Sequence, residues 1–130
     1  MEPDSRTCSS RDILSNPVGS LLVFCLPPAA MVVVAARAAS VAWRTGVWTV
    51  ALVIMGVGCA VNAIRCGRIH CYITAPFFFL MALVTLLYGL GILSIRGSAW
   101  NLIGLTVLVG AIVLSCLPEM LFGKYRLPRA

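Results

Sequence analysis

Apolar positions run in four long blocks, separated by short stretches that carry the arginines. The blocks extend from about Val18 to Ala36, Val47 to Ile64, Ile73 to Leu93, and Trp100 to about Phe122. Each is close to the roughly 20 residues that a helix needs to cross a bilayer. No lysine, arginine or aspartate interrupts them, and their one acid, Glu119, falls in the last turn of the fourth. The period-2 alternation of a transmembrane barrel is missing, which argues against spanning strands. The connections Arg37 to Gly46, Arg65 to Tyr72 and Ser94 to Ala99 are short, and short connections make neighbouring helices antiparallel. The expected fold is all-α: an integral membrane bundle of four antiparallel transmembrane helices.

Composition supports this reading. Hydrophobic residues make up 61% of the chain and charged residues 11%, with a mean hydropathy of +1.01. A soluble domain is nearer half apolar and a quarter charged, so a water-soluble globule and a disordered chain are both excluded. The expected organisation is an N-terminal tail over 1–17, the helical bundle over 18–122 and a basic C-terminal tail over 123–130. Ser15-Asn16-Pro17 supplies cap candidates and a proline suited to a first helical turn. A cleaved signal peptide is disfavoured for the first block, because its basic flank is mixed with Glu2, Asp4 and Asp12 and because Pro27-Pro28 interrupts it.

Charge predicts direction. Arg6, Arg11, Arg65, Arg68, Lys124, Arg126 and Arg129 fall on one side, and Arg37, Arg44 and Arg96 on the other. Positive charge collects on the cytoplasmic side, so both termini and the middle loop are expected there, in the inner (plasma) membrane. Trp43, Trp48, Trp100, Tyr72 and Tyr125 lie near block ends, where aromatic rings favour the interface. The net charge of +6 is then explained by topology and anionic lipid, with no nucleic-acid partner. The expected partners are the lipid bilayer and, given the small size, further copies of the chain or a larger membrane complex.

Apolar burial gives little drive inside lipid, so small residues should mark close helix approaches. The candidates are Gly56, Gly58, Ala60, Gly89, Gly91, Gly104 and Gly110. Asn62 and Asn101 are expected to hydrogen-bond between helices or at headgroups. Met31, Met55 and Met81 read as packing.

Six cysteines carry the remaining chemistry: Cys8, Cys25, Cys59, Cys66, Cys71 and Cys116. On the topology above, Cys8, Cys66 and Cys71 are cytoplasmic. At about 1.5 Å per residue, Cys25, Cys59 and Cys116 sit roughly 8–11 Å from the cytoplasmic edge. A reducing cytosol keeps such thiols free, and free thiols suit soft ions such as Hg(II), Cu(I) or Zn(II). The sharpest motif is Arg65-Cys66-Gly67-Arg68-Ile69-His70-Cys71. If the second helix continues through it, Cys66 and His70 share a face at i and i+4. The neighbouring arginines would favour the thiolate. The other reading is a loop whose arginines serve orientation and whose cysteines are incidental. A tripeptide repeats as Cys25-Leu26-Pro27 and Cys116-Leu117-Pro118, where proline frees a carbonyl one turn earlier and could create a transient ion site. Pro27-Pro28 should also kink the first span. The metal-ligand candidates are therefore Cys66, His70, Cys71, Cys25, Cys116 and Cys59.

Phe24-Cys25-Leu26-Pro27, the Cys66/Cys71 pair and the four-span size together resemble the small inner-membrane proteins of bacterial mercury-resistance systems. Those have a thiol-bearing, proline-adjacent first helix and a second cysteine pair facing the cytoplasm. Here a single Cys25 stands where they have two, and the pair falls between the second and third spans. The resemblance implies mercuric-ion transport by ligand exchange between thiolates. The Cys66 to Pro76 stretch is also similar to uncharacterised bacterial membrane proteins, which implies no function.

The leading functional expectation is transport or handling of a thiophilic metal ion, with no permanently bound cofactor and only a transient soft ion. The rival is a non-catalytic accessory subunit of a larger membrane complex. An enzyme is not expected. One histidine and four acids near the chain ends make no hydrolytic set, and a thiol oxidoreductase would want a Cys-x-x-Cys pair that is missing.

Overall fold

The computed structural model describes residues 16–37, 40–67, 69–95 and 97–122. They form four helices long and apolar enough to cross a membrane: α1 (Pro17–Ala36), α2 (Val41–Cys66), α3 (Ile69–Gly89) and α4 (Ala99–Phe122). No strand occurs among the described residues. The tail through Ser15, the tail from Gly123, and Arg68 and Arg96 lie outside them, so most of the charges used to orient the chain do too.

Local chemistry sets the helix ends. Asn16 caps α1, its Oδ1 accepting from the Val18 N–H at 3.2 Å, with Pro17 as the first helical residue. Proline fits there because that N–H would be unpaired anyway. Ser40 caps α2 by accepting from the Trp43 N–H at 3.4 Å. The helix therefore starts at Val41, six positions before the apolar block, because backbone bonding and a cap need no hydrocarbon. Pro27-Pro28 does not end α1. Leu21–Cys25 widens into a π turn just upstream, where the Leu26 N–H reaches back to the Leu21 carbonyl. Such a wide turn re-pairs backbone groups next to helix-breaking residues.

The link between α2 and α3 corrects the sequence-based reading. Arg65 to Tyr72 is not a loop. The α2 helix runs to Cys66 and α3 begins at Ile69. Gly67 makes this tight turn with φ 62°, its N–H bonded to the Ala63 carbonyl at 2.8 Å. That is a left-handed helix stop, which glycine tolerates without steric penalty. The helix does not continue through the motif, so Cys66 and His70 are not i and i+4 neighbours on one helix. Cys71 lies within the first turn of α3 rather than in an open loop. At the other end, α3 stops four residues before Leu93. Gly91 takes φ 75°, the Ile92 N–H bonds to Leu87 O and the Gly91 N–H to Tyr88 O, each at 3.0 Å. Both bonds fit a helix stop closed by a left-handed glycine. Gly91 therefore serves the turn, and a Cβ there would meet open space.

Gly56, Gly58, Gly89, Gly104 and Gly110 are close-approach points, and they help to fix the register. Going from α2 to α3, Gly89 faces Thr45, Gly56 faces Phe79 and Asn62 faces Cys71. Going from α3 to α4, Tyr88 meets Trp100, Phe77 fills the space over Gly110, and Thr74 lies 3.5 Å from the Leu114 carbonyl. Going from α1 to α2, Val23 fills the space over Gly58 and the Met31 carbonyl accepts from Trp48 Nε1 at 3.2 Å. In each pair one number rises as the other falls, so consecutive helices are antiparallel. Among the described residues backbones approach only between sequence neighbours, and those of α1 and α4 stay apart. Most of the core comes from α2 and α3: Leu52, Met55, Cys59, Cys71, Ala75, Phe78 and Met81, closed by Met31 of α1 and by Ile103 and Val107 of α4. The outer helices present Leu22, Val32, Leu105, Leu108 and Ile112 outward, as an apolar solvent permits.

Gly89→Ala tests this packing. Helix propensity favours alanine by up to about 1 kcal/mol. The new Cβ would instead collide with Thr45, whose own Cβ cannot move away from the backbone and whose Oγ1 is held by the Val41 carbonyl at 2.7 Å. The expected result is a loss of about 2 kcal/mol, read as a lower unfolding midpoint in detergent. An unchanged or higher midpoint would contradict the register.

Candidate thiol site between α2 and α3

The face of α2 that meets the start of α3 carries Cys59, Asn62 and Ala63, spaced i, i+3 and i+4 so that they line one stripe. Opposite them α3 presents His70, Cys71, Thr74 and Ala75. All seven are buried, Asn62 and Cys71 completely. Alanines at two of these positions let the helices approach closely enough for the polar groups to meet.

Cys71 is the hub. Its Sγ lies 3.2 Å from His70 Nε2 and 3.8 Å from Asn62 Nδ2, which donates to it across the helix interface. The buried Cys59 thiol interacts with the same sulfur from α2. Both thiols are free. Thr74 closes the cluster by donating Oγ1 to the His70 carbonyl at 2.7 Å. Inside a helix this back-bond satisfies a hydroxyl that lipid could not. Asn62 thus behaves as expected, hydrogen-bonding between helices, while Asn101 is exposed.

The other candidates lie elsewhere. Cys25 and Cys116 are exposed, on α1 and α4, whose backbones stay apart among the described residues. By the antiparallel register Cys116 is level with Cys71, whereas Cys25 faces the depth of Met55, about 12 Å deeper at 1.5 Å per residue. The two Cys-Leu-Pro tripeptides therefore do not face one another. Cys66 ends α2, and its side chain lies outside the described residues, as does Cys8. Among the described residues no three His, Cys, Asp or Glu side chains converge as a ligand set. The contacts that exist are pairwise, Cys71 with Cys59 and Cys71 with His70.

Thiol sulfur and imidazole nitrogen are soft donors, and here they meet in pairs around Cys71. Intramembrane polar and ionisable groups are expensive to bury, and they tend to mark functional positions. A groove of about 420 Å³ between α1 and α2, lined by Leu22, Leu26, Pro27, Trp43, Val47 and Ile54, offers no such chemistry. Cys59 has no motif of its own in the sequence. Its signal is helical spacing, since Cys59, Asn62 and Cys66 recur at i, i+3 and i+7. Thr74 has no signal short of the fold.

Fold and site define a small all-helical membrane protein with a buried thiol–imidazole cluster. No protein-family model matches the chain, and no curated protein or solved structure is significantly similar to it.

Proposed function

We propose that this protein handles a thiophilic metal ion in the inner (plasma) membrane by thiolate ligand exchange, with both termini in the cytoplasm and no enzymatic activity. The ion is substrate rather than resident cofactor. The observation that carries the reading is the buried Cys71–His70 contact at 3.2 Å, with the buried Cys59 thiol set against the same sulfur. Two facing sulfurs suit an ion content with two soft ligands, so Hg(II) and Cu(I) come before Zn(II), which wants four. Cys71, touching both neighbours, is the sulfur through which an ion would pass.

The experiment is Hg(II) binding by the purified full chain in detergent, with excess glutathione present to outcompete isolated thiols. Wild type and a Cys25→Ser/Cys116→Ser variant should retain the ion, while Cys59→Ser/Cys71→Ser should lose it. Equal retention by the Cys59/Cys71 variant would refute the assignment.

A second reading, an accessory subunit in a larger complex, draws on the outward apolar faces of α1 and α4. It predicts co-purification with a partner chain and indifference to cysteine replacement.

A further inference from the structure

Among the described residues, the bundle end remote from the thiols holds arginine without acid. The antiparallel order brings together the end of α1, the starts of α2 and α4, and the end of α3, with Arg37 and Arg44 in or beside them. The one acid among the described residues, Glu119, is in the last turn of α4, at the other end. A bilayer core of about 30 Å separates the two ends. No described residue at this end supplies these arginines with a carboxylate counterion.

Arg44 is the one held in a built setting. Its Cζ lies 5.3 Å from the centre of the Trp100 ring. Trp48 and Tyr88 brace that ring edge-on, at 5.4 and 5.3 Å between centroids. Trp48 is itself pinned by its bond to the Met31 carbonyl and by contact with Gly104. This cation–π contact uses the charge without using up the N–H donors, which still want acceptors. The Arg44 Nε is buried and has no hydrogen-bond partner among the described residues, an expensive condition for a charged donor. The Nε is sealed from solvent, but the side chain as a whole is only half-buried, so a tetrahedral oxyanion would be taken end-on, by the two terminal nitrogens, and would balance the charge.

We propose that Arg44, framed by Trp100, Trp48 and Tyr88, binds a phosphate-type anion at the end of the bundle opposite the thiol cluster. The anion is either the headgroup phosphate of an anionic lipid or free phosphate. The aromatic rings lie at helix ends, the depth at which headgroups are found. The site is independent of the cysteines.

The test titrates the full chain in a neutral detergent and follows the fluorescence of the tryptophans flanking Arg44. The probes are inorganic phosphate, short-chain phosphatidylglycerol, and diacylglycerol as a headgroup-free control, all at constant ionic strength. A saturable change with phosphate and phosphatidylglycerol assigns the site to the anion itself. A change with phosphatidylglycerol alone assigns it to lipid. In either case Arg44→Gln should weaken binding at least about tenfold. Absence of a saturable change in wild type, an equal change with diacylglycerol, or unaltered affinity in Arg44→Gln overturns the proposal. If Arg44→Gln does not fold, Arg44→Lys decides. It keeps the charge without the planar fork, and an affinity equal to wild type would then overturn the bidentate site.

Discussion

Replacing Cys71 with serine is expected to weaken soft-ion binding by more than about a hundredfold, and replacing Cys59 by less. The asymmetry follows from geometry. Cys71 touches the Cys59 thiol, the His70 imidazole and the Asn62 amide, whereas Cys59 reaches only one of those partners, the Cys71 thiol. Removing Cys71 therefore takes away the sulfur that both other donors meet, and removing Cys59 leaves the Cys71–His70 pair intact. Losing even an outer-shell partner of a metal ligand costs about 10–100-fold, so loss of the hub should exceed that range. Serine keeps the size and a hydroxyl, so the helix interface should survive and the loss should report donor chemistry. Competition titrations with a calibrated Cu(I) chelator would measure the order Cys71, then Cys59, with Cys25 and Cys116 unchanged. Equal effects at Cys59 and Cys71 would mean that the two sulfurs act symmetrically and that His70 contributes nothing.

Trp48→Ala should be the most damaging single packing change, at about 3–5 kcal/mol. Trp48 lies on α2 but ties three helices. Its indole N–H bonds to the Met31 carbonyl of α1, its ring meets Trp100 edge-on, and its far edge rests over Gly104 of α4. Among the described residues the α1 and α4 backbones do not approach each other, and this side chain bridges them. Alanine would leave a cavity in a medium that supplies no hydrophobic drive to close it. The measurement is unfolding by a denaturing detergent, together with faster labelling of the normally buried Cys59 by a thiol reagent. Trp48→Phe should recover much of the packing while still lacking the bond to Met31. If Trp48→Ala unfolds at the wild-type midpoint, the four helices are held by something other than this contact.

The resemblance to mercury-resistance membrane proteins rested on Cys25 and on the Cys66/Cys71 pair as separate sites along the chain. In the fold, Cys71 meets Cys59, a residue without a motif, while the Cys66 side chain lies outside the described residues and Cys25 is exposed on α1. The readings of Met31, Met55 and Met81 as packing, and of Gly56, Gly58, Gly89, Gly104 and Gly110 as close contacts, agree with the structure. Gly91 differs because a left-handed stop and a packing notch look alike as a single letter.

The number and rough extent of the four helices were determined by the sequence alone. A run of about 20 apolar residues has one way to satisfy its backbone in hydrocarbon, and that constraint is local. Which thiols meet was a matter for the tertiary structure. It depends on a two-residue turn at Gly67 and on a register set where Thr45 meets Gly89 and Phe79 meets Gly56, contacts between residues far apart in the chain. A cysteine read in sequence shows its chemistry, whereas its neighbours come from a helix that packs against it at van der Waals range.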